Sequence, residues 1–435
     1  VISLNPDQER ILNWLIDSGR VAGVIGPAGC GKTTIGSFLG VKMVCGGYAR
    51  KVLLVAFTNS AANEFCRELS IVLGPDAAKF LCIRSGYAPD ADTNLQIPFS
   101  NNIEVVRTKK IVICTTQSLR RLSGSIKFDY MIIDETGSER LEHLLSPFTL
   151  GINQLGVNLI KDSISYETIN IIELASRSGI VTTVVGDPKQ SRPIGLADYD
   201  LSAMECVLRC TKFDSLFTTH RLPDKLAMLV DEFADYGGLR AAQDIVARRL
   251  KVNKDIDIEF RSIINPDEVI TWADLNGTEE MAGPSSWYND IESKACVKIC
   301  CELKSSTFQV NIIVTRYTEQ RRTITKYLRN FDVSVRVLTS TGALGTQADV
   351  VLFSIVRNNP ERIVGAVGSL QDLNVAISRS KEKLIIVGNF EMMLNGYSRS
   401  YDENHLIKQN CSRKLANLVD KKYGDVVQVS SRLSH

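Results

Sequence analysis

The stretch VAGVIGPAGCGKTTIGSFLG, residues 21–40, decides the fold. An apolar run, VAGVI, stops at Gly26, and a helix-like run, IGSFLG, begins at Ile35. Between them lies GPAGCGKTT, which satisfies G-x-x-x-x-G-K-[ST] through Gly26, Gly31, Lys32 and Thr33, with Gly29 inside the turn. The glycines let the backbone curl with its N–H groups inward, and the following helix adds the positive end of its dipole. Such a nest suits a polyphosphate, with Lys32 neutralising β/γ oxygens and the Thr33 hydroxyl on Mg²⁺. The predicted nucleotide loop is Gly26, Pro27, Ala28, Gly29, Cys30, Gly31, Lys32, Thr33 and Thr34, with a nucleotide phosphate and Mg²⁺ as its ligands.

Outward from the loop, Val- and Ile-rich runs recur. KVLLVAFT (51–58), KIVICTT (110–116), FDYMIIDE (128–135) and IVTTVVGD (180–187) form one group; VNIIVT (310–315), DVVLFSIV (349–356) and KLIIVGN (383–389) form another. Runs apolar on both faces and separated by helical stretches predict parallel sheets covered on each side. Seven such runs exceed one modest sheet. They predict two α/β lobes dividing near residues 205–215, taken as 1–208 and 209–435, with a helix at DKLAMLVDEFADY (224–236). Residues 74–108, rich in Gly, Pro, Asp and Asn, and residues 137–178 are expected to be small insertions in the first lobe.

The bulk properties fit a soluble globular chain, with 44% hydrophobic and 23% charged residues. A net charge of +2 excludes a strongly basic field, so a nucleic-acid partner would need a local groove. The eleven cysteines form no C-x-x-C pair and only four histidines accompany them, which favours buried thiols in a reducing, cytoplasmic compartment over a zinc site. No apolar run is long enough for a membrane span. The chain opens on Val1 rather than Met, so a missing N-terminal portion is expected.

A P-loop needs a carboxylate for its metal. Asp134 and Glu135 end the run MII at a strand terminus, where α/β ligand sites lie. Asp134 is assigned to Mg²⁺, and Glu135 to orienting and deprotonating the attacking water. GDPKQSRPIG (186–195) also follows a strand; Gln190 there could sense the γ-phosphate and the lytic water, and a plain Pro-Gly turn fits the same residues.

The order of these motifs resembles that of superfamily 1 helicases, nearest to the Upf-like branch and related positive-strand RNA virus helicases. The likeness runs over nearly all of the chain apart from the two suspected insertions. LNPDQ (4–8) resembles the Q motif, which implies that Gln8 reads the adenine edge. AFTNSAANEF (56–65) and ICTTQSL (113–119) resemble nucleic-acid-contacting motifs, and VVGDPKQSRP motif III. TTHRLP (218–223) is similar to the element carrying the first arginine finger, and VTRYTEQ (314–320) to motif IV. TSTGALGTQADVVLFSIVRNN (339–359) resembles motif V, and LNVAISRSKEKLIIVGN (373–389) motif VI. The resemblance implies two tandem RecA-like P-loop NTPase lobes with the nucleotide between them. Arg221 and Arg379 would then be arginine fingers whose approach to the phosphate is the motor stroke.

Departures fall at His220, where relatives carry Tyr and which would stack on the base, and at Leu344 and Gln347, which replace Gln and Glu around Gly345. Gly345 and Gln347 remain in the implied nucleotide set. By motif position, Thr58, Asn59, Thr115, Thr116, Arg316 and Thr339 are the candidates for gripping a single strand; each also suits a helix cap or a turn. The basic runs RTKK (107–110), RR (120–121) and ARRLK (247–251) either line that path or solvate a face. The resemblance implies an ATP-dependent translocase with single-stranded nucleic acid as partner, RNA before DNA, and with protein partners met through the insertions. A nucleotide-gated RNA clamp that hydrolyses ATP without unwinding is the rival. A P-loop kinase or capping triphosphatase is a third reading, and the kinase leaves motifs V and VI unexplained.

Overall fold

The computed structural model describes residues 3–86, 95–122, 126–138, 175–176, 178–190, 202–283, 286–307, 311–397 and 410–429. The chain forms two compact units. One comprises Val1–Pro188 with Arg192–Phe217; the other comprises Lys189–Ser191 with Thr218–His435.

Among the described residues, the first unit is built on seven strands: β1 (Val21–Ile25), β2 (Val52–Ala56), β3 (Cys82–Arg84), β4 (Ile111–Thr115), β5 (Tyr130–Ile133), β6 (Val181–Gly186) and β7 (Lys212–Ser215). They lie in the order β3-β4-β2-β5-β6-β1-β7, and every neighbouring pair is parallel. Strands β2 and β4 are buried along their whole length, which is why their sequences read as unbroken apolar runs. Helices α1 (Pro6–Asp17), α2 (Lys32–Cys45) and α3 (Asn59–Leu73) belong to this unit. Because β6 lies between β1 and β5, the carboxyl ends of all three strands sit side by side. That edge is where α/β sheets hold ligands.

Residues 74–108 are only partly the insertion their sequence suggested. Cys82–Arg84 pairs in parallel with β4 and forms the edge of the sheet. A three-residue strand directly after the helix Pro75–Leu81 leaves no apolar run to notice. Residues 87–94 of this segment, and 139–174 of the second suspected insertion, lie outside the described residues.

The second unit contains the short parallel pair β8 (Thr218–Thr219) and β9 (Arg240–Ala241), and the hairpin of β11 (Glu280–Met281) with β12 (Trp287–Tyr288). Its main sheet uses β10 (Ile270–Asp274), β13 (Asn311–Thr315), β14 (Arg336–Thr339), β15 (Ala348–Ser354), β16 (Ser380–Val387) and β17 (Asp425–Gln428). Their order is β14-β13-β15-β16-β10-β17, again parallel throughout. The fully buried Trp272 of β10 donates its indole N–H to the Gly388 carbonyl at 2.9 Å and meets Phe390 edge-on, tying β10 to the end of β16. Each unit is thus a RecA-like parallel α/β lobe.

Candidate nucleotide site and nucleic-acid edge

The loop from β1 to α2 holds its shape through glycine. Gly29 and Gly31 adopt φ of 75° and 82°, the left-handed region that other residues enter at a cost. A Cβ on Gly26 would lie 2.5 Å from Lys32 Cγ, and one on Gly31 2.3 Å from Gln8 Nε2, so a side chain at either position would displace Lys32 or Gln8. The Lys32 ammonium donates to the Gly26 carbonyl at 2.6 Å and to Pro27 at 3.3 Å, which keeps it over the loop. Ala28 and Cys30 are buried beneath.

Gln8 is 4% exposed and its amide is used at both ends. Its oxygen accepts from the Asn5 N–H at 3.0 Å, while Asn5 caps α1 in return, and its nitrogen donates to the Cys30 carbonyl at 3.1 Å. The residue assigned by resemblance to the adenine edge therefore braces the loop from behind. The N-P-D-Q spacing is a capping box, and it is the sequence signal for this second use of Gln8.

At the end of β5, the Thr33 hydroxyl donates to Asp134 Oδ2 at 2.8 Å, and the Glu135 N–H donates to Asp134 Oδ1 at 2.8 Å. Asp134 is 2% exposed. Burial pushes its carboxyl above the ordinary range, opposed by the Lys32 charge and by these two hydrogen bonds. Glu135 itself sits at φ 60°, a strained backbone state for a non-glycine residue, which turns the chain sharply after the carboxylate. Next to it, Gly137 packs so closely on the segment after β6 that a Cβ would lie 2.2 Å from the Asp187 carbonyl oxygen. On α3, Glu68 hydrogen-bonds Thr34 of the loop, and burial raises its carboxyl. Neither Gly137 nor Glu68 was anticipated.

In the second unit, Arg221 and Arg379 donate to side-chain amide and main-chain oxygens. Arg221 donates to Gln347 Oε1 at 3.1 Å and to the Ser378 carbonyl at 3.1 Å. Arg379, only 2% exposed, donates to the Val375 carbonyl at 3.0 Å and to Gln190 Oε1 at 3.1 Å, Gln190 belonging to this unit. Four of the expected residues, Gln190, Arg221, Gln347 and Arg379, are thereby brought together. His220 is exposed beside Arg221, and Gly345 adopts φ 70°.

The expected strand-gripping residues lie at the carboxyl ends of β2, β4, β13 and β14. Thr58 caps α3 by accepting from the Ala61 N–H at 3.1 Å, and Asn59 follows it, exposed. Thr115 and Thr116 are buried, with the Thr115 hydroxyl 2.9 Å from that of Ser118. Thr339 accepts from the Gly342 N–H at 3.2 Å, and Arg316 Nε lies 2.9 Å from Asp372 Oδ2.

A further polar core was not legible in the sequence. The fully buried Glu292 accepts from the Ser354 hydroxyl and the Val356 N–H, each at 2.8 Å. Gln320 donates to Ser354 at 2.8 Å and accepts from the Asn289 N–H at 2.8 Å. Val356 sits at φ 76°, an outlier for a β-branched residue, pinned by Glu292 and by Asn289, which donates to its carbonyl at 3.3 Å. The turn delivers Arg357 to Glu279, 2.9 Å away, and over the ring of Trp287. Burial drives the Glu292 carboxyl up to about 8 against the opposing pull of its two hydrogen-bond donors.

Fold and site together define a P-loop nucleotide-binding protein of two parallel α/β units. Two family models, each described as an AAA domain, match residues 3–144 and 199–391. The chain is similar to the Regulator of nonsense transcripts 1 homolog of Neurospora crassa, with 25% identity over 66% of this chain and 25% of the relative. It is similar also to the ATP-dependent helicase NAM7 of Saccharomyces cerevisiae, with 22% identity over 69% of this chain and 30% of that protein. The DNA replication ATP-dependent helicase/nuclease dna2 of Schizosaccharomyces pombe matches at 23% identity over 93% of this chain and 29% of its own length. These relatives bear out the resemblance to the Upf-like superfamily 1 helicases. The chain spans between a quarter and a third of each relative's length.

Proposed function

We propose that the chain is an ATP-dependent nucleic-acid helicase or translocase that acts on RNA before DNA. The observation that carries this reading is the 2.8 Å bond from Thr33 to Asp134, which joins the first turn of the P-loop helix to the end of β5. The donors fit the group they would hold: a hydroxyl and a buried carboxylate are hard oxygen ligands, and the glycine cradle leaves room where a Cβ would intrude. Thr33 and Asp134 would hold Mg²⁺, which when bound neutralises phosphate oxygens.

Lys32 is tethered over the loop and neutralises the phosphate tail. Glu135, turned out of the strand by its left-handed backbone, orients the attacking water and accepts its proton. Arg221 and Arg379 answer the charge that develops in the transition state, and Gln190, bonded to Arg379, reports the γ-phosphate to it. Gln8 braces the loop, and its second amide N–H and second oxygen lone pair are left for the adenine edge. The word "transcripts" in one relative's name supports RNA, and the DNA replication helicase among the relatives keeps DNA as the second substrate.

The test is ATP turnover with single-stranded RNA, with single-stranded DNA and with neither, run beside a strand-displacement assay. RNA-stimulated turnover with displacement is expected. Turnover no higher than that of Lys32→Ala would overturn the reading, and stimulated turnover without displacement would favour the nucleotide-gated clamp.

A further inference from the structure

We propose that Arg84 is the buried positive charge of the single-strand path on the first unit, fixing Asn59 so that its amide nitrogen faces a backbone phosphate. This rests on the nucleic-acid reading above and adds to it a residue that no motif supplied.

Arg84 ends β3 and is 1% exposed. One of its terminal nitrogens donates to the Asn59 side-chain oxygen at 2.8 Å, and the other donates to the Ser85 carbonyl. Its Nε has no hydrogen-bond partner, and no carboxylate pairs with the guanidinium among the described residues. The ionisable groups closest in influence are the Cys66 and Cys114 thiols, both pushed up to about 12 by burial and therefore neutral. A buried guanidinium without a counter-charge is strongly unfavourable unless an anion completes it.

The surroundings are built to hold this charge still. Asn101 accepts from the Gly86 N–H at 2.8 Å and donates to the Gly86 carbonyl at 2.8 Å, and Arg121 donates to the same carbonyl at 2.9 Å. Gly86 adopts φ 116°, and a Cβ there would lie 2.3 Å from the Ser118 hydroxyl oxygen. The carboxyl ends of β2, β3 and β4 are thus locked around one cation. Because Arg84 occupies the Asn59 oxygen, the exposed end of that amide can only donate. A donor above a buried cation recognises a phosphodiester oxygen, the group that every position of a single strand presents.

The test is anisotropy of a labelled single-stranded oligouridine bound to the whole chain, titrated between about 50 and 200 mM salt. Arg84→Met is expected to weaken binding about tenfold and to reduce the logarithmic salt slope by roughly 0.7, the share of one phosphate on a single strand. Asn59→Leu is expected to weaken binding a fewfold with the slope kept, and the double variant to bind no worse than Arg84→Met. Losses that add, or an unchanged slope in Arg84→Met, overturn the proposal. Should Arg84→Met fail to fold by circular dichroism, Asn59→Leu decides alone, and wild-type affinity in it is the overturning result. If the wild-type chain binds no oligonucleotide, the helicase reading itself falls, a distinguishable outcome.

Discussion

Replacing Glu292 with Gln should change how the stability of the second unit depends on pH. Burial raises the folded carboxyl from an ordinary value of 4.5 to about 8. Between those values the folded state binds the proton that the unfolded chain has released, so stability falls as pH rises through this window. Each pH unit costs about 1.4 kcal/mol. From pH 4.5 to 7 the loss is therefore roughly 3 kcal/mol, and it levels off above about 8. Gln cannot ionise and keeps one oxygen for the Ser354 and Val356 donors, so Glu292→Gln should flatten the profile and gain on the parent as pH rises. The assay is urea unfolding at several pH values in a Trp14→Phe background. The remaining tryptophans, Trp272 and Trp287, then report on the second unit alone. Parallel profiles for parent and variant between pH 5 and 8, within about 0.5 kcal/mol, would refute the reasoning.

Other outcomes are equally direct. Lys32→Ala should abolish ATP turnover while leaving the circular dichroism spectrum and melting temperature near those of the parent. Arg379→Ala should lower turnover by about a thousandfold with ATP binding retained, measured by a fluorescent ATP analogue beside steady-state rates. Gly137→Ala forces a Cβ to 2.2 Å from the Asp187 carbonyl oxygen, a backbone atom that cannot swing aside. It should cost about 1–3 kcal/mol of first-unit stability in chemical denaturation and lower turnover as well.

What the sequence revealed and what it hid follow from the range of the interactions. The P-loop is local: its glycines, lysine and threonine lie within one turn, and the flanking runs disclose strand and helix. Strands buried on both faces, such as β2 and β13, stand out for the same reason. Strand β7, KFDS, carries no signal because it is a half-exposed edge without an apolar run, and β3 none because it is only three residues long. The Glu292 network was hidden for a different reason. Its partners lie 62 and 64 residues away along the chain, at positions where Ser and Val are unremarkable residues. The pairing of Arg84 with Asn59, 25 residues apart, is hidden likewise.

The double use of Gln8 ties the integrity of the nucleotide loop to the cap that opens α1. Losing the Asn5 cap would fray the first turn of α1 and, with it, the support behind Cys30. A change at that cap would register as weakened nucleotide affinity, although no residue of the phosphate loop had been altered.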